Sequence, residues 1–236
     1  MKSLSSYFKF GFLTVAFLLG TSAMSVSAQK LPLGDLLDRM DAHYKGLSTL
    51  RTNIVMVKTD AALGEGGNET LNGTVNFVPE RKPKAMAIRV DWLKPKESMI
   101  VINEDYRLIN FGTKVAICGK KSDTKTNAKV AGPLSFLGMS RAQLKANYEV
   151  IIATGKKVTL SDGTLAIQLR LTPKTKNEYK VADLWVDGDG MPRQIMVVAN
   201  NGDTTTILLK SPEKNIKLDG SIFTLTLPAG MKCTKA

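Results

Sequence analysis

Histidine and cysteine are almost missing from this chain: among 236 residues there is one histidine, His43, and two cysteines, Cys118 and Cys233. A lone imidazole excludes a histidine-rich metal centre, and neither a Cys-x-x-Cys nor a His-Glu-x-x-His spacing occurs, so neither a metal nor a cofactor is expected. Ser122-Asp-Thr-Lys125 and Ser211-Pro-Glu-Lys214 have a Ser-x-x-Lys spacing, but both stand in polar, turn-like segments and match at chance frequency. Asp187-Gly-Asp189-Gly190 opens like a calcium loop, yet Val198 occupies the place where that loop needs a glutamate, so a hairpin turn is expected. Gly64, Gly66 and Gly67 precede no clear helix and make no phosphate cradle. With no active-site pattern left, a non-enzymatic protein is expected.

Long apolar runs are also missing. The only stretch of that character, Phe10 to Gly20, is about 11 residues long where a bilayer span needs about 20. Lys2 and Lys9 before it and Val26-Ser27-Ala28 after it complete the pattern of an export signal, so residues 1–28 are expected to be removed. The remaining 29–236 are expected to form a single domain, since no proline-rich or glycine-serine linker divides them. No cysteine follows the apolar core to carry a lipid, and a soluble periplasmic or secreted protein is expected.

Charge is unbalanced. Lys and Arg number 33 against 21 Asp and Glu, a formal charge of +12, or +10 without Lys2 and Lys9. Such an excess favours anionic membrane surfaces, nucleic acid or an acidic protein. Export and the scattered, aromatic-poor placement of the lysines argue against nucleic acid. In an oxidising compartment Cys118 and Cys233 could pair and close a long loop, stabilising the chain by roughly 4 kcal/mol. Spacing alone leaves that pairing open, because it depends on geometry.

What is present is extended, apolar and periodic. From Thr164 to Leu227 the chain reads as a β-meander. Leu165, Ile167, Leu169 and Leu171 alternate with Ala166, Gln168, Arg170 and Thr172, a half-buried strand with one wet face. Asp187-Gly188-Asp189-Gly190 and Asn200-Asn201-Gly202-Asp203 are turn signals between later runs. Earlier runs cover 50–57, 71–78, 86–92, 98–102, 106–111 and 114–118, and two more cover 149–153 and 157–160. Two amphipathic helices accompany them. One starts after Pro32 and ends near Gly46, with Leu33, Leu36, Leu37, Met40, Tyr44 and Leu47 on one stripe. The other opens at a capping box of Ser140 and Gln143, with Met139 and Leu144 as its hydrophobic staple. A sheet of about ten strands must curl, close or split, so a strongly curved sheet with helices across its mouth is expected. Apolar groups on both faces of 181–186 and 195–198, and ten methionines, exceed ordinary need and suggest a cavity for something greasy.

Several segments carry a family resemblance: LRLTPK, the hairpin DLWVDGDGMPRQIMVVANNGDTTTILL, the ending FTLTLPAGMK, FVPERKP, and GPLSFLG. Over nearly the whole of 29–236 the chain resembles the LolA family of periplasmic carriers, which move lipoproteins from the inner to the outer membrane of Gram-negative bacteria. The resemblance implies a mainly β (α+β) fold, an incomplete barrel of about eleven antiparallel strands capped by lid helices. Its concave face would take acyl chains. The helix positions Leu36, Leu37, Met40, Leu134, Phe136 and Leu137 are the expected upper wall. Ile54, Met56, Val75, Phe77, Ile88, Val90, Met99 and Val101 are the expected lining from the first strands, and Leu184, Val186, Ile195 and Val197 from the later ones.

In that family an arginine before a proline latches the lid. Here Lys82 precedes Pro83 and Arg81 stands one residue earlier, so the latch is expected at Arg81 or Lys82 and in a changed place. Implied partners are acylated lipoproteins or lipids, an inner-membrane lipoprotein-releasing transporter and an outer-membrane receptor, with the carrier monomeric. A sensor or interaction module, or a free-lipid binder on the same fold, is the alternative. At about 0.8 kcal/mol per methylene, one sixteen-carbon chain resists leaving a bilayer by roughly 12 kcal/mol, which is why such cargo needs a carrier.

Overall fold

The computed structural model describes residues 32–81, 86–120, 131–224 and 226–235. The export signal expected at 1–28, Lys82 and the polar stretch 121–129, including Ser122 and Lys125, lie outside those residues.

The apolar stripe after Pro32 forms helix α1, Leu33–Gly46, which buries Leu36, Leu37 and Met40. Six strands follow: β1 (Leu50–Thr59), β2 (Asn68–Val78), β3 (Ala87–Trp92), β4 (Glu97–Ile102), β5 (Asp105–Asn110) and β6 (Val115–Lys120). Then come a short helix α2 (Ala131–Leu134), a 3-10 turn over Ser135–Gly138, and helix α3 (Arg141–Asn147). Ser140 and Gln143 close the expected capping box at the start of α3. Leu144 is buried there with Met139 packed alongside, as the staple requires. Five more long strands complete the sheet: β7 (Tyr148–Thr159), β8 (Leu165–Pro173), β9 (Tyr179–Val186), β10 (Pro192–Ala199) and β11 (Thr204–Lys214).

With a short last strand, β12 (Cys233–Lys235), the strands form one sheet in the order β12-β6-β5-β4-β3-β2-β1-β11-β10-β9-β8-β7, curved but not closed into a barrel. Two antiparallel meanders, β1 to β6 and β7 to β11, are joined where β1 pairs with β11. The twelfth strand, β12, runs parallel to β6. Eleven antiparallel strands match the sequence expectation, and β12 is an addition.

Four local readings change. The runs 149–153 and 157–160 are one strand, β7, whose pairing with β8 shifts register between Ile152 and Lys157. Gly155 lies in that interruption with φ +62, a conformation that glycine adopts without strain. The end of the expected meander is not a strand: Gly220–Phe223 is a 3-10 turn, entered through Asp219, which accepts from the Ser221 amide. Ser211 to Lys214 is not a turn but the end of β11, where the pairing with β1 shifts register and Ser211 takes φ +49. Finally, the outer face is not simply wet. Ala166 packs there with Leu160, Leu208 and the half-buried Trp185. Ile100, Ile109 and Ala116 are covered by Phe111, Leu227 and Met231. These two patches account for part of the apolar surplus, since residues such as Trp185 serve the outside of the sheet.

Cys118 and Cys233 are joined in a disulfide with their Cα atoms 5.5 Å apart. The bond ties the edge strand β12 to its neighbour β6 across 115 residues of sequence. A loop of that length is worth about 5 kcal/mol on the chain-entropy argument. Among the described residues, no helix is long and apolar enough to cross a membrane.

Candidate lipid site on the concave face

Two apolar clusters fill the concave side, one centred under the first meander and reaching across the seam to β11, the other under the rest of the second meander. Under the first lie Ile54, Met56, Val75, Phe77, Ile88, Val90, Met99 and Val101, all buried. Under the second lie Leu184, Val186 and Ile195, buried against Leu36, Leu37 and Met40 of α1, with Val197 partly buried at the margin. Strand alternation explains why Leu184 and Val186 of β9 share a face, and pairing across the hairpin sets Ile195 opposite Leu184. The stretch from the end of α2 through the 3-10 turn straddles the seam: Leu134 and Leu137 enter the first cluster and Phe136 the second. The residues expected from the sequence are thus brought together, packed on one another under the helices.

The lining expected from the sequence leaves out several members of the same clusters, although Ile167, Leu169 and Leu171 stand on the dry side of the half-buried strand read from the sequence. Leu50, Leu71, Trp92, Tyr106, Met191, Ile207 and Leu209 belong to the first, and Tyr148, Ile167, Leu169, Leu171 and Ala182 to the second. Ile207 and Leu209 had a signal, since they alternate within TTTILLK. Met191 had none, because it sits in a turn. The Tyr106 hydroxyl is buried with no hydrogen-bond partner among the described residues, a cost of about 1–3 kcal/mol to folding.

Helix α1 is clamped at the end of the sheet formed by the start of β1, the end of β2 and the β9–β10 turn. Arg81 donates to the carbonyls of Tyr44 and Leu47 at the C-terminus of α1, and its guanidinium lies 4.4 Å from the centre of the Tyr44 ring. The Tyr44 carbonyl also accepts from the capping Leu47 amide at 3.4 Å, and both carbonyls lie at the negative end of the helix, where a cation suits the helix dipole. Arg81 also donates to the Glu80 carbonyl at 2.7 Å. The clamp therefore grips α1 rather than α2.

Asn215 (φ +60) adds a second grip. Its amide donates to the Gly46 carbonyl at 3.1 Å while its oxygen accepts from the Ser48 amide at 2.7 Å and hydroxyl at 2.9 Å. Gly190 adds a third. With φ +86, it comes so close to α1 that a Cβ would stand 2.3 Å from the Arg39 carbonyl oxygen. Arg39 in turn donates to the Gly188 carbonyl at 3.1 Å. His43, half-buried here, has its pKa lowered by burial first and by Lys214 second, against the pull of Asp187 and Asp189.

Helix α1 is also tied to α3. Asp38 pairs with Arg141, and Asp41 accepts from the Arg141 amide at 3.2 Å. Lys45, 2.6 Å from the Asp41 carboxylate, and that amide both hold Asp41 below the usual carboxylate range.

The opposite end of the sheet is open. A cleft of about 580 Å³ lies between the β1–β2 turn, the start of β9 and the β10–β11 turn, lined by Lys58, Leu63, Glu178, Tyr179, Val197 and Asp203 among others. Its size is that of an ordinary ligand pocket. Val197 and Tyr179 also pack on the second apolar cluster, so the cleft abuts the concave core. Beside it, Phe136 meets Tyr148 and Tyr179 with ring centres 5.7 and 6.4 Å apart, and the two tyrosine hydroxyls are 2.6 Å from one another. Burial, and then the bond to Tyr148, raise the pKa of Tyr179. Among the described residues no group of three or more His, Cys, Asp or Glu side chains is placed to hold a metal.

Comparison with known proteins agrees with this geometry. The profile of the family described as outer membrane lipoprotein carrier protein LolA matches residues 68–226. No curated protein sequence matches the chain. An uncharacterised conserved protein of Thermus thermophilus shares the fold at 12% identity, with a TM-score of 0.53 over 86% of this chain and 98% of that one. MucB does so at 14% identity, with a TM-score of 0.52 over 82% of this chain and 62% of MucB. A putative outer membrane lipoprotein-sorting protein domain from Vibrio parahaemolyticus aligns at 11% identity, with a TM-score of 0.44 over 80% of this chain and 94% of that one. The two closer likenesses speak to fold alone, and the profile match, which spans more than half of the residues, decides the family: this chain belongs to the LolA family of outer membrane lipoprotein carrier proteins.

Proposed function

We propose that this protein is a periplasmic carrier that shelters the acyl chains of lipoproteins under its helices and moves them from the inner to the outer membrane. The observation that carries the reading is the pair of apolar clusters on the concave face, roofed by α1 and the α2–α3 segment and bordered by an open cleft. In the conformation described, the expected lining residues fill that face themselves. Cargo must therefore separate the helices from the sheet, and the contacts that resist separation, Arg81 on α1 above all, act as the latch. Binding then exchanges side-chain contacts for acyl-chain contacts, which makes loading and release close to balanced.

The export signal at 1–28, the inner-membrane transporter that loads the carrier, the outer-membrane receptor that empties it and the monomeric state are parts of the same proposal. Titration of the purified protein with a fluorescent acyl-chain probe, together with mass spectrometry of what copurifies from the native host, tests it. Saturable binding and a copurifying lipid or lipoprotein are expected. A protein that binds no acyl chain and instead retains a membrane regulator in a pull-down is a sensor on this fold, and the carrier reading falls.

A further inference from the structure

The turns at the open end of the first meander are built differently from those at the other end. Strand order places the β3–β4 turn (93–96) and the β5–β6 turn (111–114) side by side at one end of the sheet, because Glu97 pairs with Asn110 there. The Phe111 amide donates to the Lys96 carbonyl at 3.0 Å, and the Lys96 ammonium lies 5.6 Å from the centre of the Phe111 ring. β12 starts at the same level, since Cys233 is opposite Ala116, which brings Lys232 beside Val115.

The result is a rim of Leu93, Lys94, Lys96, Lys114, Val115 and Lys232, every one exposed. Leu93 and Val115 present 68% and 44% of their surface to solvent. No aspartate or glutamate occurs in 93–96, 111–115 or 226–235. At the far end of the same strands the β4–β5 turn carries Glu104 and Asp105 instead. Exposed apolar tips ringed by lysines suit an interface where the tips enter the acyl region and the ammonium groups meet phosphates.

We propose that this rim docks the protein reversibly on an anionic lipid bilayer, with Leu93 and Val115 entering the headgroup boundary and the four lysines facing lipid phosphates. The β1–β2 turn, with Leu63 67% exposed, and the cleft it borders lie at the same end of the sheet, so docking would turn that cleft toward the membrane. The contact is with the bilayer surface and does not require that acyl chains be carried, so the two readings can fail separately.

Vesicle co-sedimentation of the purified protein tests the proposal. Binding is expected on vesicles of phosphatidylethanolamine and phosphatidylglycerol, much less on phosphatidylcholine alone, and it should weaken as salt is raised. The double variant Lys94→Glu/Lys114→Glu should lower binding at least about tenfold, and Leu93→Asp should lower it severalfold. Lys156→Glu/Lys157→Glu on β7 makes the same change of net charge away from the rim and should leave binding near that of the parent. Equal losses in the two double variants, or equal binding to both kinds of vesicle, overturn the proposal. Hydrogen exchange on the unaltered protein supplies an independent reading. Vesicles should protect amides in 93–96 and 111–115 and leave 103–105 unchanged; protection confined to other segments, as an acidic protein partner or a different docking face would require, also overturns it.

Discussion

The two ends of the curved sheet solve opposite problems. At one end α1 is held from three directions, by Arg81 beyond β2, by Asn215 beyond β11 and by the close approach of Gly190 from the β9–β10 turn. At the other, the hairpin turns surround a cleft, and the roof is held there by the aromatic contacts of Phe136, Tyr148 and Tyr179. Backbone carbonyls gripped by cations and amides resist separation until the donor moves away, whereas ring contacts yield gradually. A roof built this way should lift first at the open end and separate at the gripped end only once the Arg81 latch lets go.

Five measurements break or sharpen that contrast. Gly190→Val should cost the most, because it demands a β-branched residue at φ +86 and drives Cβ into the α1 backbone; a loss of about 3 kcal/mol or more in denaturant unfolding is expected. A near-neutral result would mean that α1 is not seated against this turn. Arg81→Leu should come next, costing about 2 kcal/mol from hydrogen bonds made by a charged donor. The double change of Arg81 and Lys82 to Leu should impair cargo transfer more than folding, and normal transfer by that variant would remove the latch from the mechanism.

At the open end, Tyr179→Phe should cost only about 1 kcal/mol, the worth of one neutral hydrogen bond, measured by thermal unfolding. A larger loss there than at Arg81 would reverse the order in which the two ends lift.

The smallest effect is a pH dependence. His43 has a folded pKa below its unfolded value, so the unfolded chain binds a proton more readily. Its contribution to stability is present above the unfolded pKa, near 6.5, and is lost as pH falls from there through the folded pKa. His43→Gln should flatten the stability profile in that window; an unchanged slope would assign it to other groups.

Much of the concave face was legible because strand alternation and helical stripes are local patterns. Leu36, Leu37 and Met40 on one stripe, and Leu184, Val186 and Ile195 on alternating positions, share a buried cluster as their spacing implies. The seam was not legible. That Leu134 and Leu137 pack under one meander and Phe136 under the other depends on where the segment lies across two halves of a sheet. Trp185 misled for a related reason: an apolar residue beside Leu184 looks like surplus core until the outer patch around Ala166 is known. The clamp was half legible. The family resemblance implies a latch at Arg81 or Lys82, but the choice of α1 as its target rests on the chain path after β2.

By itself the sequence determined most of the elements and their order, the turns at 187–190 and 200–203, the cap at Ser140 and the absence of a metal-binding spacing, because each depends on residues near one another in the chain. Tertiary structure alone decided that β1 would pair with β11 and so join the two meanders. It alone paired Cys118 with Cys233, gave α1 its three grips and gathered the lysines of 94, 96, 114 and 232 at one end of the sheet. These facts bring together groups far apart in sequence, and curvature and register, which no local pattern encodes, set the distances between them.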